Sequence, residues 1–501
     1  MIKLEYIQEP KLQFGEYFEH EDSKTGLAEF GPFGKNLPGL HRSEIKLGFV
    51  GTGESMDGAK EWIVECGSFI ESENIKKIKP ASVREEGPRL FEAEEVPDPT
   101  FKRVFKILNR DFVGFSRDTK WASEFQLNQR WDRELRPLDL KRVLDLEDKE
   151  QRIKELVTLL SEEIKSIAQT SPAPDIIVVA ITDDMEKKAD AVRVGGNFYM
   201  NFRRAIKALA MKWGKPIQII RRSTITGRGE LQEKATRAWN FCTAMYYKAD
   251  AVPWRLIGLD EDTCFVGIDF YLAPVDGGKV EMRSSVAQAF DHLGQGVVLR
   301  GDPFDWDADK YGQSPHMTTK NSSALIRATL EAYVGVRKSP PRRVVIHKSS
   351  RYWGIDHPDF NELQGLQEGI ESVAPRCFTD FLTLRQGGNR LFRQGQYPPA
   401  RGTFISLAGK RHSIYTMGYI PYLETYPGSY VPEPWEIEEH HGGSSPKELL
   451  REVLALTKMN VNNCSYADGV PITLSFSSKV GEVMKHIPQG ELAETGYKFY
   501  M

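Results

Sequence analysis

Cysteine is scarce in this chain. Five occur in 501 residues, Cys66, Cys242, Cys264, Cys377 and Cys464. The number is odd and no two lie close together, so neither a disulfide framework nor a zinc site of the usual spacing is expected. No run reaches the roughly 18 apolar residues that mark a membrane span. The opening MIKLEYIQEP lacks the basic-then-apolar pattern of a secretory leader. A cytoplasmic protein that contacts no membrane is the expectation. Neither sign of charge is in excess, with 67 Lys and Arg against 70 Asp and Glu. A net charge of −3 neither shows nor excludes nucleic-acid binding, because a local basic groove matters more than the sum. The turn GTGES at 51–55 lacks both the Lys-Ser/Thr of a P-loop and the full GxGxxG, and it reads as a tight turn. His440 and His441 sit in a Gly/Ser-rich stretch that reads as a solvated loop, with metal binding the less favoured alternative. Internal repeats and low-complexity tracts are absent.

What is present is enough apolar residue, 40% of the chain, for two or more cores. Residues 1–45 alternate short strand-like runs with turns and are expected to pack on another part of the chain. Residues 86–145 are irregular, rich in Pro and Arg, and are expected to form exposed structure around a core. Over 146–169, Ile153, Leu156, Leu159, Leu160 and Ile164 recur on one helical side, and Pro172 and Pro174 end the pattern. DIIVVAIT at 175–182 is a continuous apolar strand of the kind buried on both faces of a parallel sheet. A helix from Asn201 to Trp213 and a strand at 216–220 complete a doubly wound α/β unit. After Trp254 come three strands in succession (263–273, 279–290, 294–301). A helix (318–334), a strand (342–349), a helix (359–373), a strand (377–384) and a hairpin follow. That is the order of a ribonuclease H-like domain.

The chemistry concentrates between Asn201 and Lys248. Arg203 and Lys207 are four apart on a helix whose apolar stripe is Phe202, Ile206, Leu209 and Trp213. Like charges at that spacing destabilise a helix slightly, and an anion between them reverses the cost. Gln218 lies on the next strand, and Lys248 ends a helix that starts near Glu233. From spacing alone, solvated charges at helix ends are the simpler reading. Gln218 in an otherwise apolar strand argues the other way, because a buried amide needs partners and a phosphate supplies acceptors. Arg221, Arg222, Arg228 and Arg237 add to the local field.

Arg203, Lys207, Gln218 and Lys248, with WNFCTAMYYKADAVPW around the last, resemble the 5′-phosphate pocket in the MID domain of Argonaute proteins. Arg203 stands where many members carry Tyr or His, and Ala249-Asp250-Ala251 replaces the usual glycines. EYIQEP, LALTKMNVNNC, YADGVPITLSF and the aromatic C-terminus extend the resemblance to short prokaryotic Argonautes. The resemblance implies an α/β chain with an N-terminal strand segment on PIWI (1–45), a Rossmann-like MID domain (46–255) and a ribonuclease H-like PIWI domain (256–501). It implies a small 5′-phosphorylated RNA guide, a single-stranded DNA target, and Mg²⁺ at the guide phosphate, held by the Met501 carboxylate and Gln218. It also implies a partner carrying an APAZ region fused to a TIR, sirtuin-type or nuclease effector. Such a pair depletes NAD⁺ or degrades DNA in an invaded cell, and higher oligomers on activation are left open. Lys458, Asn460 and Asn462 are the expected backbone contacts.

Argonautes that cut their targets hold two metals with four acidic or His ligands. By the same resemblance Asp269 matches the first position, Lys348 and Ser349 fall at the third, and Ser478 falls at the fourth, in ITLSFSSKV, which the resemblance makes a strand near the end. The second is not placed, and Asp302 and Asp305 are only nearby acids. A protonated Lys cannot ligate a cation, so this chain is expected not to cleave nucleic acid. The alternative is an active guide-directed nuclease with an unusual metal set.

Overall fold

The computed structural model describes residues 2–73 and 109–501, apart from 196–197, 228–231, 275–279, 290–295, 305, 313, 355–359, 394–397, 427, 429–430, 488–490 and 492. Arg228, Asp305 and the acidic stretch 88–100 therefore lie outside the described residues.

Two sheets organise the chain. The first is four-stranded and parallel throughout, built from β2 (Glu44–Gly51), β3 (Glu124–Glu134), β4 (Ile176–Ile181) and β5 (Ile217–Arg221) in the order β3-β2-β4-β5. Every residue of β4 is buried, as its unbroken apolar run requires of a central parallel strand. Helices α1 (Gly53–Cys66), α2 (Lys149–Ala168), α3 (Phe202–Ala210) and α4 (Lys234–Lys248) accompany this sheet. The turn at 51–55 is a capping box. Thr52 accepts from the Ser55 N–H and Ser55 Oγ accepts from the Thr52 N–H, so α1 begins without a ligand's help.

The second sheet has nine strands. β1 (Ile2–Tyr6) is followed along the chain by β6 (Thr263–Pro274), β7 (Val280–Ala289), β8 (Val298–Phe304), β9 (Arg343–Lys348) and β10 (Phe378–Gln386). The last are β11 (Thr403–Leu407), β12 (Arg411–Ile414) and β13 (Trp435–Gly442). Their spatial order is β1-β11-β12-β13-β10-β9-β6-β7-β8. β6, β7 and β8 form an antiparallel meander, while β6, β9 and β10 run parallel. Helices α5 (Thr319–Arg337) and α6 (Glu362–Val373) pack with one face. The helices α7 (Pro446–Leu456) and α8 (Ile472–Met484) join the core that links both sheets.

The structure departs from the sequence reading in three places. The stretch around WASEFQLNQRW is not irregular, because β3 is an eleven-residue strand that closes one edge of the first sheet, with Trp131 buried. Its polar, Arg-rich look comes from its exposed edge position, where alternation is weak. ITLSFSSKV is helical, not extended. Pro471 precedes its first turn, and it lies on β6 so closely that a Cβ at Gly267 would stand 1.9 Å from the Thr473 carbonyl oxygen. Its β-branched, all-round apolar face reflects burial on many sides, which mimics a core strand. His440 and His441 belong to β13, not to a loop, and His440 Nε2 lies 2.9 Å from Asp380 Oδ1.

Residues 1–45 do join other parts of the chain. β1 pairs antiparallel with β11, and Leu12–Gln13 pairs with Arg255–Leu256.

Candidate phosphate-binding site

α3 starts where Asn201 Oδ1 accepts the Arg204 N–H at 3.2 Å. Phe202, Ile206 and Ala210 bury one side of it. The opposite side presents Arg203, Arg204 and Lys207 to a cavity of about 510 Å³, with Gln218, Asn462 and Met501 in its other walls. Three cations within five residues of one helix would repel in isolation, and the cavity is where their fields add.

Lys248 forms the floor. It is 2% exposed, and its Nζ donates to the Ile217 carbonyl at 2.9 Å and to Gln218 Oε1 at 2.6 Å. The main-chain oxygen of Met501 lies 3.5 Å away. Gln218 is thereby oriented with its oxygen committed to the floor. Burial pushes Lys207 down to about 8, with repulsion from Arg203, Arg204 and Lys479 adding to it. Burial, then Lys207, holds Lys248 well below the ordinary lysine value. The arginines have counter-ions behind the walls: Asp190 lies 3.5 Å from Arg203, Glu186 lies 3.0 Å from Arg221, and Glu482 pairs with Arg204. Among the described residues no carboxylate makes an ion pair with Lys207. This site favours an oxyanion strongly.

Arg203, Lys207, Gln218 and Met501 thus meet at one cavity, with Lys248 directly beneath. Asn462 is exposed and stands in the cavity wall. Lys458 and Asn460 do not reach it. The Lys458 side chain is 0% exposed, with Nζ 2.7 Å from Glu9 and 2.7 Å from the Glu21 carbonyl. Asn460 donates to Asp468 at 2.7 Å. Arg221 lines the cavity, whereas Arg222 pairs with Glu54 and Arg237 lies over Trp62. Sequence reasoning passed over Arg204, whose partner is 278 residues away.

A second cavity, about 450 Å³, contains Asp269, Ser349, Ser350, Glu482 and Lys485. Burial raises the Asp269 carboxyl, and Glu482 adds repulsion. The Phe270 N–H and the Ser478 hydroxyl oppose that rise. Lys348 is not in this cavity. It pairs with Ile268 across β6 and β9, so its side chain shares Ile268's face, and strand alternation puts Asp269 on the other. There Lys348 donates to both Glu362 oxygens at 2.9 and 2.8 Å, with each side chain 0% exposed. Burial alone would raise the Glu362 carboxyl, but Lys348 and His316 hold it below its usual value. Ser349, one residue on, is the residue that faces Asp269. Glu482 was missed because 472–480 read as a strand, which gives no helical turn to carry the side of Ser478 on to residue 482. On a helix it stands one turn after Ser478 on the same side. Asp302 is exposed and is not part of this cavity.

Among the described residues no three His, Cys, Asp or Glu side chains gather as a metal-ligand group. At the phosphate cavity, Gln218 Oε1 already accepts from Lys248, and cations line the same wall. These donors fit a divalent ion only beside an anion that brings its own oxygens, which is a familiar arrangement for Mg²⁺. No helix among the described residues is long and apolar enough to cross a membrane.

No family model matches the sequence, and no curated protein matches it. Solved structures do match the fold. One is Clostridium butyricum Argonaute bound to a guide DNA with a 5′ deoxycytidine and a 19-mer target DNA. Its TM-score is 0.59 at 15% identity, covering 98% of this chain and 54% of that one. Aa-Ago with externally bound siRNA gives 0.52 at 14% identity, covering 100% and 56%. A. aeolicus Argonaute gives 0.53 at 13%, covering 97% and 53%. The chain spans about half the length of these structures. At such identities the likeness concerns architecture: this chain has an Argonaute-like α/β fold.

Proposed function

We propose that this chain holds the 5′-phosphorylated end of a guide strand in the α3–β5–α4 cavity and does not itself cut the target. The observation that carries the reading is the convergence of Arg203, Lys207 and Gln218 on one cavity, over the buried ammonium of Lys248. A terminal phosphate supplies a charged acceptor for Lys207, which has no ion pair among the described residues, and further oxygens for its neighbours. The similar fold of a structure solved with guide and target DNA supports a nucleic-acid strand as the ligand, and the sequence resemblance points to an RNA guide and a single-stranded DNA target. Residues 46–255 then serve as the MID unit and 256–501 as the PIWI unit. Met501 and, once Lys248 turns to the phosphate, Gln218 would hold a Mg²⁺, which would supply positive charge to offset the phosphate.

Two-metal hydrolysis needs a full set of hard ligands. The Asp269 cavity offers Asp269 and Glu482, the latter already engaged by Lys485 at 2.8 Å and by Arg204. The chain is therefore read as a sensor whose output lies in an APAZ-containing effector partner, of TIR, sirtuin-type or nuclease class. The same two carboxylates in one cavity are what favours the competing reading, an active guide-directed nuclease.

Two measurements test this. The protein should bind a short 5′-phosphorylated RNA more tightly than its 5′-hydroxyl twin. Lys207→Ala should remove a charged hydrogen bond worth about 1.5–3 kcal/mol from that preference. Equal affinity for the two RNAs would overturn the pocket. Guide-loaded protein with complementary DNA and Mg²⁺ or Mn²⁺ should leave the target intact. A discrete cut opposite the middle of the guide would establish the nuclease instead.

A further inference from the structure

Arg204 and Glu482 connect the two cavities. Arg204 stands in the wall of the phosphate cavity, and Glu482 stands in the wall of the Asp269 cavity. They meet as an ion pair through Arg204 Nη1 and Glu482 Oε2, joining α3 to α8. The contact uses one guanidinium nitrogen, and five N–H donors in a fixed fork leave others for a second anion. Lys485 grips both oxygens of the same carboxylate at 2.8 Å, so Glu482 keeps a counter-ion if Arg204 departs. Both side chains are partly exposed, 42% and 36%, which leaves them room to move.

We propose that Arg204 is a further phosphate-contacting residue of the guide site and that Glu482 is its resident counter-ion, a protein carboxylate that occupies Arg204 until a terminal phosphate competes for it. This rests on the phosphate reading of the cavity and extends it. The cavity brings Arg203, Arg204 and Lys207 together on one helix face, and Glu482 offsets part of their repulsion. A phosphate entering the cavity replaces that offset and draws Arg204 inward. Glu482 then answers to Lys485 alone, so the charge balance beside Asp269 changes when the guide end is bound. Arg204 thereby sets the preference for phosphate over hydroxyl, and Glu482 tunes it.

The test compares one short RNA bearing a 5′ phosphate with the same RNA bearing a 5′ hydroxyl, on the full chain. Glu482→Gln should raise the phosphate-over-hydroxyl affinity ratio about two- to five-fold, the worth of a partly exposed ion pair. Arg204→Gln should lower the ratio about ten-fold, as loss of a charged hydrogen bond does, and Arg204→Lys should restore part of it. In the double variant, Glu482→Gln should add nothing, because it acts through Arg204. A purely structural pair would shift both RNAs alike and leave the ratio unchanged. If Glu482→Gln does not fold, Glu482→Asp, which withdraws the carboxylate by one methylene, should move the ratio in the same direction. An unchanged or lowered ratio in the Glu482 variant overturns the proposal while the pocket stands, provided Lys207→Ala still lowers the preference. A wild-type protein with no preference overturns the pocket itself.

Discussion

Lys207 works at a cost that pH makes measurable. Burial and its cationic neighbours lower its pKa from the ordinary lysine value to about 8. An anion in the cavity favours the protonated form and raises that value. Affinity for a 5′-phosphorylated RNA should therefore be nearly constant between about pH 7, where the phosphate carries its second charge, and pH 8. Above it, affinity should fall about ten-fold per pH unit until the bound-state pKa is reached. The 5′-hydroxyl RNA should show a flatter profile over the same range. Titration by fluorescence anisotropy at constant ionic strength checks this, and matching slopes for the two RNAs would remove Lys207 from the site. At this scale much of the site was legible. Arg203 and Lys207 announce themselves by helical spacing, and Gln218 by its place in an apolar strand. Arg204 did not, because a third cation beside two others reads as surface charge until its partner on a distant helix is known. Lys348 was legible by position but not by direction, since the parity of one strand decides which side of the sheet it serves.

At the scale of elements, the contact between α3 and the end of α8 is held by a neutral histidine. The Asn201 N–H donates to His486 Nε2 at 2.9 Å, so Nδ1 carries the proton and faces the Glu482 carbonyl at 3.0 Å. Protonating Nε2 would set N–H against N–H. Burial accordingly lowers the His486 pKa to about 4. His347, buried between β9 and α8, is lowered to about 3 by burial and by Arg343. Unfolded, each titrates near 6.5. A folded pKa below the unfolded one means the unfolded chain binds more protons between about pH 4 and 6.5, so stability is full above 6.5 and declines as acid is added. His486 alone should account for about 2 kcal/mol between pH 7 and pH 5. His486→Gln keeps an acceptor for Asn201 and removes that titration, so its melting temperature should depend less on pH over this window. An unaltered pH dependence would show that the ring is not the sensitive group. Amphipathic α2 and apolar β4 were legible because burial on one side or on both leaves a clean period. β3 and α8 were not, since an edge strand and a helix buried on most of its surface blur both periods.

At the scale of the whole molecule, the beginning of the chain is tied to its last quarter by charge as well as by strand pairing. The Glu9 side chain, 4% exposed, lies 2.9 Å from Arg401 and 2.7 Å from Lys458. Removing that carboxylate leaves two buried cations facing each other, and breaking such pairs typically costs about 3–5 kcal/mol. Glu9→Gln should show that loss in chemical denaturation, and a loss below about 1 kcal/mol would mean the cations find other partners. None of this tether was visible in the sequence, because its members are separated by almost the whole chain, whereas the order of strands and helices follows local pattern. The cavity beside α3 is built across a similar span. Its floor, Lys248, and its wall, Met501, are 253 residues apart. At usual elongation rates the ribosome takes roughly ten seconds to a minute to cover that distance. A nascent chain that has already folded its first sheet therefore still lacks one wall, so the cavity takes shape only once two stretches far apart in the chain have been made and packed together.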